Sequence, residues 1–408
     1  MSTTTFTVTG CTIVDPASGQ AIPGALSVSD GLIVATPDTV RATVDGSGLF
    51  AIPGLIDMHV HATSDPHGRT ASKWSEITTT TMTLSAVDNL ATALANGITT
   101  VRDLGAPRDV GYAVRAAWSR ELFVGARPFT SGPVITAMGG HGHWMGVESE
   151  GPAAIGALVR RNVANGSDVI KLMMRSAAHR VELRPEELGN AVAEAHWLDV
   201  PVAVHANFSE RSIDAAVEAG CDTLEHGFAI SDSTADVMSK QGTALCPTTT
   251  ALRSVVEHPQ RWVRPGGKEL VERAVRQFPE ARRSFERALA ADVTLIAGTD
   301  AGAAGVAFDA LPRELRTMVE WGATPRQALA AATSAAAGAL RHPELGTLRP
   351  GTPADIVLLR SDPLTDVSAC AEVEAVIQRG RVVRLDSPWR AQGLEPHPAP
   401  GTVLTPRS

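Results

Sequence analysis

From residue 52 onward the chain repeats one unit: a stretch with amphipathic helical spacing, a glycine or aspartate stop, a short apolar run, then polar residues. Helices are predicted over residues 84–96, 152–165, 185–198, 209–219, 232–241 and 268–291. Several open on a proline and close on a glycine, the usual start and stop signals. The intervening apolar runs include Leu55-Ile56-Asp57, Ile98-Thr99-Thr100-Val101, Val169-Ile170-Lys171-Leu172, Val202-Ala203-Val204-His205, Thr223-Leu224-Glu225-His226, Ala244-Leu245-Cys246 and Thr294-Leu295-Ile296. With Phe129-Thr130-Ser131 and Val134-Ile135 taken together as the third, they read as eight strands. Strands alternating with helices imply a parallel sheet, and eight units imply an α/β fold closed as a (β/α)8 TIM barrel. An open doubly wound sheet is the alternative. It is disfavoured because no G-x-G-x-x-G follows a strand, and because polar residues recur at strand C-terminal ends, where a barrel has its mouth.

The chain ends have a different texture. Ala25-Leu26-Ser27-Val28 and Leu32-Ile33-Val34 flank Asp30-Gly31, a strong hairpin pair, and no helical period is visible there. After a helical stretch over 325–340, β character returns in Ile356-Val357-Leu358-Leu359 and on both sides of Arg379-Gly380. Residues 1–55 and 343–387 are therefore expected to build one small β-sandwich domain beside a barrel of residues 56–342. A proline-rich, irregular tail is expected over 388–408.

Composition narrows the function classes. A net charge of −8 without a basic cluster argues against nucleic acid or an anionic membrane surface as partner. No apolar run reaches the roughly 20 residues that span a bilayer, and the first residues lack the charged and apolar regions of a signal peptide. Four dispersed cysteines without a C-x-x-C suit buried, reduced thiols. The expectation is a cytoplasmic protein acting on a small molecule, with self-association left open.

The ionisable residues at the predicted strand ends carry the chemistry. Strand 1 ends in His59-Val60-His61, and residues i and i+2 of an extended strand share a face. Strand 4 supplies Lys171, and strands 5, 6 and 8 supply His205, His226 and Asp300. A lone strand-end histidine is more often structural, but five metal-type residues on one set of strand ends point to a divalent metal site. A lysine enclosed by apolar strand residues should titrate at a lowered pKa. It serves either as an ion-pair partner or as an amine neutral enough to take up carbon dioxide and bridge two metals as a carbamate.

These residues resemble the amidohydrolase superfamily of metallohydrolases, in particular its imidazolonepropionase-related and Xaa-Pro dipeptidase-like branch. The matching segments are Gly54-Leu55-Ile56-Asp57-Met58-His59-Val60-His61, Ile170-Lys171, Val204-His205-Ala206, Leu224-Glu225-His226-Gly227, Gly298-Thr299-Asp300-Ala301-Gly302 and Gly351-Thr352-Pro353-Ala354-Asp355-Ile356-Val357. The resemblance implies that His59 and His61 bind a buried metal, His205 and His226 a more exposed one, and that N6-carboxylated Lys171 bridges them. It implies further that Asp300 ligates the buried metal and acts as general base, with Lys171 and His226 completing the catalytic set. Two divalent ions about 3.5–4 Å apart would share a hydroxide that attacks a C–N bond of an amide, lactam or N-acyl compound. Zinc is the favoured metal, although Mn²⁺ and Fe²⁺ suit the same ligand types.

For substrate binding, Met138-Gly139-Gly140-His141-Gly142-His143-Trp144 is the most informative loop. Its glycines permit close backbone approach, and His141 and His143 could donate to a carbonyl or carboxylate. Arg175 and His179 are candidates for an anion clamp. Relatives carry a tyrosine shortly after the strand 5 histidine, whereas here the run is His205-Ala206-Asn207-Phe208. Phe208 suggests a more apolar contact than a plain dipeptidase has. A mononuclear deaminase is the alternative, disfavoured by Lys171 and by Phe208 where deaminases place a glutamate. A non-catalytic assembly protein on the same fold is the second alternative, disfavoured because all six ligand-type residues are present.

Overall fold

The computed structural model describes residues 5–35, 40–66, 77–175, 181–262, 266–303, 305–387 and 391–394. Within them, parallel strands alternate with helices. Leu55–Val60, Ile98–Asp103 and Arg127–Thr130 form one parallel sheet in that order. Gly146–Ser149, Val134–Ala137, Ile170–Met173, Val202–Ala206, Thr223–His226 and Ala244–Cys246 form a second. Every residue of Leu55–Val60, Ile170–Met173, Val202–Ala206 and Thr223–His226 is buried, so these strands read as continuous apolar runs rather than alternating ones. Backbone hydrogen bonds connect the two sheets at both edges. Asp168 N donates to Thr130 O (2.9 Å) on one side; on the other, Leu245 N reaches Thr294 O (2.8 Å) and Met58 N reaches Ala297 O (2.9 Å).

Several expectations need correction. The single third strand is two, Arg127–Thr130 and Val134–Ala137, separated by Gly132 at φ +61°. Only Val134–Ala137 pairs with Ile170–Met173, and an additional strand, Gly146–Ser149, lies along its outer edge. The eighth segment makes isolated bridges, Leu295 to Leu245 and Ala301 to Val60, in place of a full ladder. Three helices were not anticipated: Val110–Ser119, Thr249–Glu257 and Leu311–Glu320. None of the three has a side-chain N-cap hydrogen bond from its own N-cap residue, the strongest local start device. The stretch 325–340 is two helices, Pro325–Ala331 and Ser334–Ala339. At the break, the carbonyls of Ala331 and Ala332 leave the helix to accept from Ala297 N and Ile56 N, each at 2.8 Å, and so secure the strand floor.

Both chain ends contribute to one nine-stranded sheet. Its main path runs Arg381–Leu385, Val373–Gln378, Ile356–Leu359, Phe50–Pro53, Phe6–Asp15, Gln20–Ser29, Leu32–Val34. Phe6–Asp15 is shared: Phe6 to Thr9 pair with Ala42–Asp45, Thr12 and Ile13 with Phe50–Pro53, and a bulge between Val8 and Cys11 separates the two. Phe6, Val8, Val28, Ile33, Ile356, Leu358 and Ile377 form its apolar core. Asp30 and Gly31 both have positive φ (52° and 79°), as a type I′ hairpin requires. Ala391–Gln392, in the tail expected to be irregular, adds a short strand against Ala42–Asp45. Gly54 joins this sheet to the first parallel strand, where any Cβ would collide with the Thr99 side chain. The strand that follows, Leu55–Val60, carries His59, and His61 lies just past its end. All four cysteines are buried and unbridged, and no described helix is long and apolar enough to cross a membrane.

Candidate active site

The first strand and the 294–301 segment are interlocked by Asp300 N donating to His59 O (2.8 Å) and His61 N donating to Ala301 O (2.7 Å). Beneath them Asp57 receives Thr299 N (3.0 Å) and Thr299 Oγ1 (2.6 Å), which holds Thr299-Asp300 against the histidine strand. Asp300 is held at φ +58°, an unusual conformation for a non-glycine residue, and its carboxylate is turned onto the imidazoles. Its Oδ1 lies 3.1 Å from His61 Nε2 and 3.6 Å from His59 Nε2. Burial alone would raise the Asp300 carboxyl, but the hydrogen bond with His61 and the imidazoles of His59 and His61 hold it well below the usual carboxylate range. Burial, then the Lys171 ammonium, bring His59 down to about 4, so its ring is neutral near pH 7.

A second pair stands beside the first. His205 Nδ1 and His226 Nε2 face each other at 2.7 Å, and the His226 ring centroid is 5.1 Å from that of His59. His226 Nδ1 is engaged by Thr248 Oγ1 at 2.7 Å. His226 (φ +75°) and Thr248 (φ +46°) are both in left-handed conformations, a second concentration of backbone strain at this end of the strands. Burial holds both imidazoles well below their usual pKa. His205 Nε2 is buried without a hydrogen-bond partner.

Lys171 is fully buried on the Ile170–Met173 strand, and its Nζ has no hydrogen-bond partner. Burial lowers its pKa to about 8, against opposing contributions from the Glu225 and Asp300 carboxylates. Its charge in turn acts on His59, His205 and His226, so the amine belongs to this cluster.

Sequence reasoning missed the group that orients His59. Glu225, fully buried, accepts from His59 Nδ1 (2.7 Å), Arg102 Nη2 (2.8 Å) and Thr223 Oγ1 (2.6 Å). Arg102 is itself 2% exposed and also donates to Met58 O (2.7 Å) and Thr223 Oγ1 (3.0 Å). Burial would raise the Glu225 carboxyl, but the Arg102 guanidinium and the His59 hydrogen bond hold it well below its usual range. An ionised carboxylate can only accept, so His59 carries its proton on Nδ1 and presents the Nε2 lone pair to Asp300. The available signal was an arginine and a glutamate within otherwise apolar strand runs, since buried charges must be paired.

The substrate-side residues separate. The His141 ring is 4.7 Å from that of His205, while His143 is exposed, bonds to Gly140 O (3.2 Å) and sits against Trp144. Phe208 is 6% exposed and packs on Phe228 (5.2 Å), which packs on His226 (5.7 Å). Arg175 lies two residues past the Ile170–Met173 strand, half-buried. His179 lies outside the described residues.

The donor chemistry suits divalent metal. One atom each of His59, His61 and Asp300 lie within 4.8 Å of one another, and neutral imidazole with ionised carboxylate is a borderline-hard ligand set. One atom each of His59, Glu225 and Cys246 also lie within 4.8 Å of one another. That group is not a site: Arg102 and Thr223 engage Glu225, and burial pushes the Cys246 thiol well above its usual pKa.

Residues 50–383 match the model of the Amidohydrolase family. Ochratoxinase of Aspergillus niger is 29% identical over 370 residues, covering 80% of this chain and 73% of the relative. A solved prolidase complexed with N-methylphosphonate-L-proline is 25% identical, with a TM-score of 0.84 over 94% of this chain and 100% of that one. A Xaa-Pro dipeptidase with methionine in its active site shares the fold at 24% identity and a TM-score of 0.84, covering 93% of this chain and 99% of that one. The chain therefore belongs to the amidohydrolase family, as a hydrolase acting on carbon–nitrogen bonds.

Proposed function

We propose that this protein hydrolyses the C–N bond of a small amide, lactam or N-acyl compound at a binuclear metal centre. The reading places that centre at the mouth of a (β/α)8 barrel whose eighth stave is the segment containing Asp300. Hydrogen bonds from Leu245 to Thr294 and from Met58 to Ala297 support that closure. The observation that carries the reading is the convergence of His59 Nε2, His61 Nε2 and Asp300 Oδ1 beside a fully buried, unpartnered Lys171 amine. An ammonium there without a partner costs several kcal/mol. Carboxylation would remove that charge and supply oxygen donors to the cluster.

In this reading His59, His61 and Asp300 would hold one divalent ion and His205 and His226 a second, with carboxylated Lys171 as a further ligand; zinc is the first choice. Such ions supply Lewis acidity toward the amide carbonyl and lower the pKa of a water. The protein's own groups do the rest. Asp300, ionised at neutral pH, accepts the proton of the attacking water and returns it to the leaving nitrogen. Glu225 keeps the His59 proton on Nδ1, and Thr248 holds the His226 ring with its Nε2 facing inward. His141, its ring centroid 4.7 Å from that of His205, would donate to the substrate's carbonyl, and Phe208 packed on Phe228 would offer it apolar surface.

Metal analysis of purified protein with the Lys171→Ala and Asp300→Asn variants tests this. About two equivalents of metal support the reading, one supports a deaminase, and none supports a scaffold. Lys171→Ala should lose metal, with partial rescue by short carboxylates that mimic a carbamate. Asp300→Asn should keep most metal and lose turnover; retention of both metals by Lys171→Ala without additive would overturn the bridging role.

A further inference from the structure

The Thr249–Glu257 helix starts beside His226, and its first turn is capped from elsewhere in the fold. Thr248 occupies the N-cap position, where a threonine hydroxyl ordinarily accepts from a backbone N–H of the first turn. It makes no such bond, and its Oγ1 lies 2.7 Å from His226 Nδ1 instead. Thr248 is fully buried and left-handed (φ +46°, ψ 42°), whereas N-cap residues are ordinarily extended and a β-branched residue is strained in that region. Glu314, on the Leu311–Glu320 helix, takes the donors that Thr248 leaves. Its Oε1 accepts from Thr249 N (2.8 Å), and its Oε2 from Thr250 N (2.7 Å) and Thr249 Oγ1 (2.9 Å). Thr250 N is the second of the helix, one that an N-cap hydroxyl would serve. Glu314 is itself fully buried, and a carboxylate at a helix N-terminus is favoured by the helix dipole. Capping has thus passed from Thr248 to Glu314, which leaves the Thr248 hydroxyl for the imidazole.

We propose that Glu314 is a positioning residue for His226: by capping the helix in place of Thr248, it keeps the Thr248 hydroxyl on the imidazole and so sets the affinity of the His205–His226 pair for metal. The metal part rests on the binuclear reading; the placement of the ring does not. Without the Glu314 carboxylate, Thr249 N and Thr250 N are buried donors lacking an acceptor. The local replacement is the Thr248 hydroxyl, which serves Thr250 N once Thr248 returns to an extended N-cap backbone. That rearrangement takes the hydroxyl away from His226. The alignment of the two helices does not depend on Glu314 alone. Arg253 Nη2 donates to Glu320 Oε2 (2.6 Å), and Leu252, Val255, Leu315 and Met318 belong to one apolar core. Glu314 therefore links the helix that follows the Asp300 segment to a histidine on a different strand.

The test is a double-substitution cycle of Glu314→Gln and Thr248→Val, read in two ways. The first is nuclear magnetic resonance of metal-free protein with isotopically labelled histidine nitrogens. The His226 ring signals, assigned by their loss in His226→Gln, should shift in Thr248→Val. Glu314→Gln should shift them in the same sense and leave the His59 signals in place, while Thr248→Ser, which keeps the hydroxyl, should stay near the native spectrum. The second is chelator competition. Each single substitution should weaken one of the two metals by about 10- to 100-fold, the loss expected for an outer partner of a metal-binding histidine, with the other metal unchanged. The double variant should be no weaker than Thr248→Val alone, because both changes act through one hydroxyl. Unmoved His226 signals in Glu314→Gln, or losses that add in the double variant, overturn the proposal. Should Glu314→Gln fail to fold, Glu314→Asp, whose carboxylate has one methylene less reach toward the two N–H groups, is read by the same criteria. Shifted His226 signals in a protein that binds no metal would overturn the binuclear reading and leave the positioning of the ring standing.

Discussion

Replacing Glu225 by glutamine tests the electrostatic core of the site, because the two side chains have nearly the same shape and differ in charge. Glu225 receives three hydrogen bonds, from His59, Arg102 and Thr223, all inside the strands. A glutamine offers one carbonyl oxygen to these three donors and turns an NH₂ group toward at least one of them. The Arg102 guanidinium is then a buried charge without a counter-ion, and breaking a buried pair from one side costs roughly 3–5 kcal/mol. Arg102 keeps its bonds to Met58 O and Thr223 Oγ1, which places the expected loss near the lower end, about 3 kcal/mol. The second consequence is at His59, whose Nδ1 proton is no longer fixed by an anion. Loss of such an outer partner lowers metal affinity by about 10- to 100-fold. Denaturant unfolding of the metal-free protein reads the first effect, and chelator competition on the folded variant reads the second. A folded Glu225→Gln protein with unchanged metal affinity would show that His59 needs no anionic partner, and the orienting role would fall.

Lys171 supplies a prediction in pH. Its folded pKa is about 8 and the ordinary value is 10.5, so between these the unfolded chain holds a proton that the folded chain lacks. Stability conferred by this site therefore rises with pH across the window, and the burial penalty is fully present below about 8. In metal-free, carbon dioxide-free buffer, the stability advantage of Lys171→Met over the native protein should shrink by about 3 kcal/mol from pH 8 to 10.5. A difference constant with pH would mean that the amine is not desolvated. The two loop histidines should part company: His141→Ala should lower kcat/KM by tenfold or more without changing metal content, and His143→Ala should have little effect. Equal losses in steady-state kinetics would contradict their placement against His205 and Trp144 respectively.

The helix–strand alternation, the order of the ligand-type residues and the hairpin at Asp30-Gly31 are all local patterns, and they were legible because periodicity and turn chemistry depend on near neighbours. His59 and His61 share a face by the period of an extended strand, and Lys171, His205 and His226 follow apolar runs that could only be buried. What holds these groups is contributed from far along the chain. The first N–H groups of the Thr249–Glu257 helix are satisfied by Glu314, which accepts from Thr249 N (2.8 Å) and Thr250 N (2.7 Å) across more than 60 residues, while the N-cap Thr248 hydroxyl is turned to His226. Arg102 meets Glu225, and Arg273 reaches Phe208, only because separate helices and strands are brought together. The sequence by itself determined which residues could ligate and roughly where along each strand they stand. Only the tertiary structure decided which nitrogen of each imidazole faces inward, and which charges are paired. Those depend on partners distant in sequence, acting where the low dielectric of the interior makes a single misplaced hydrogen bond costly.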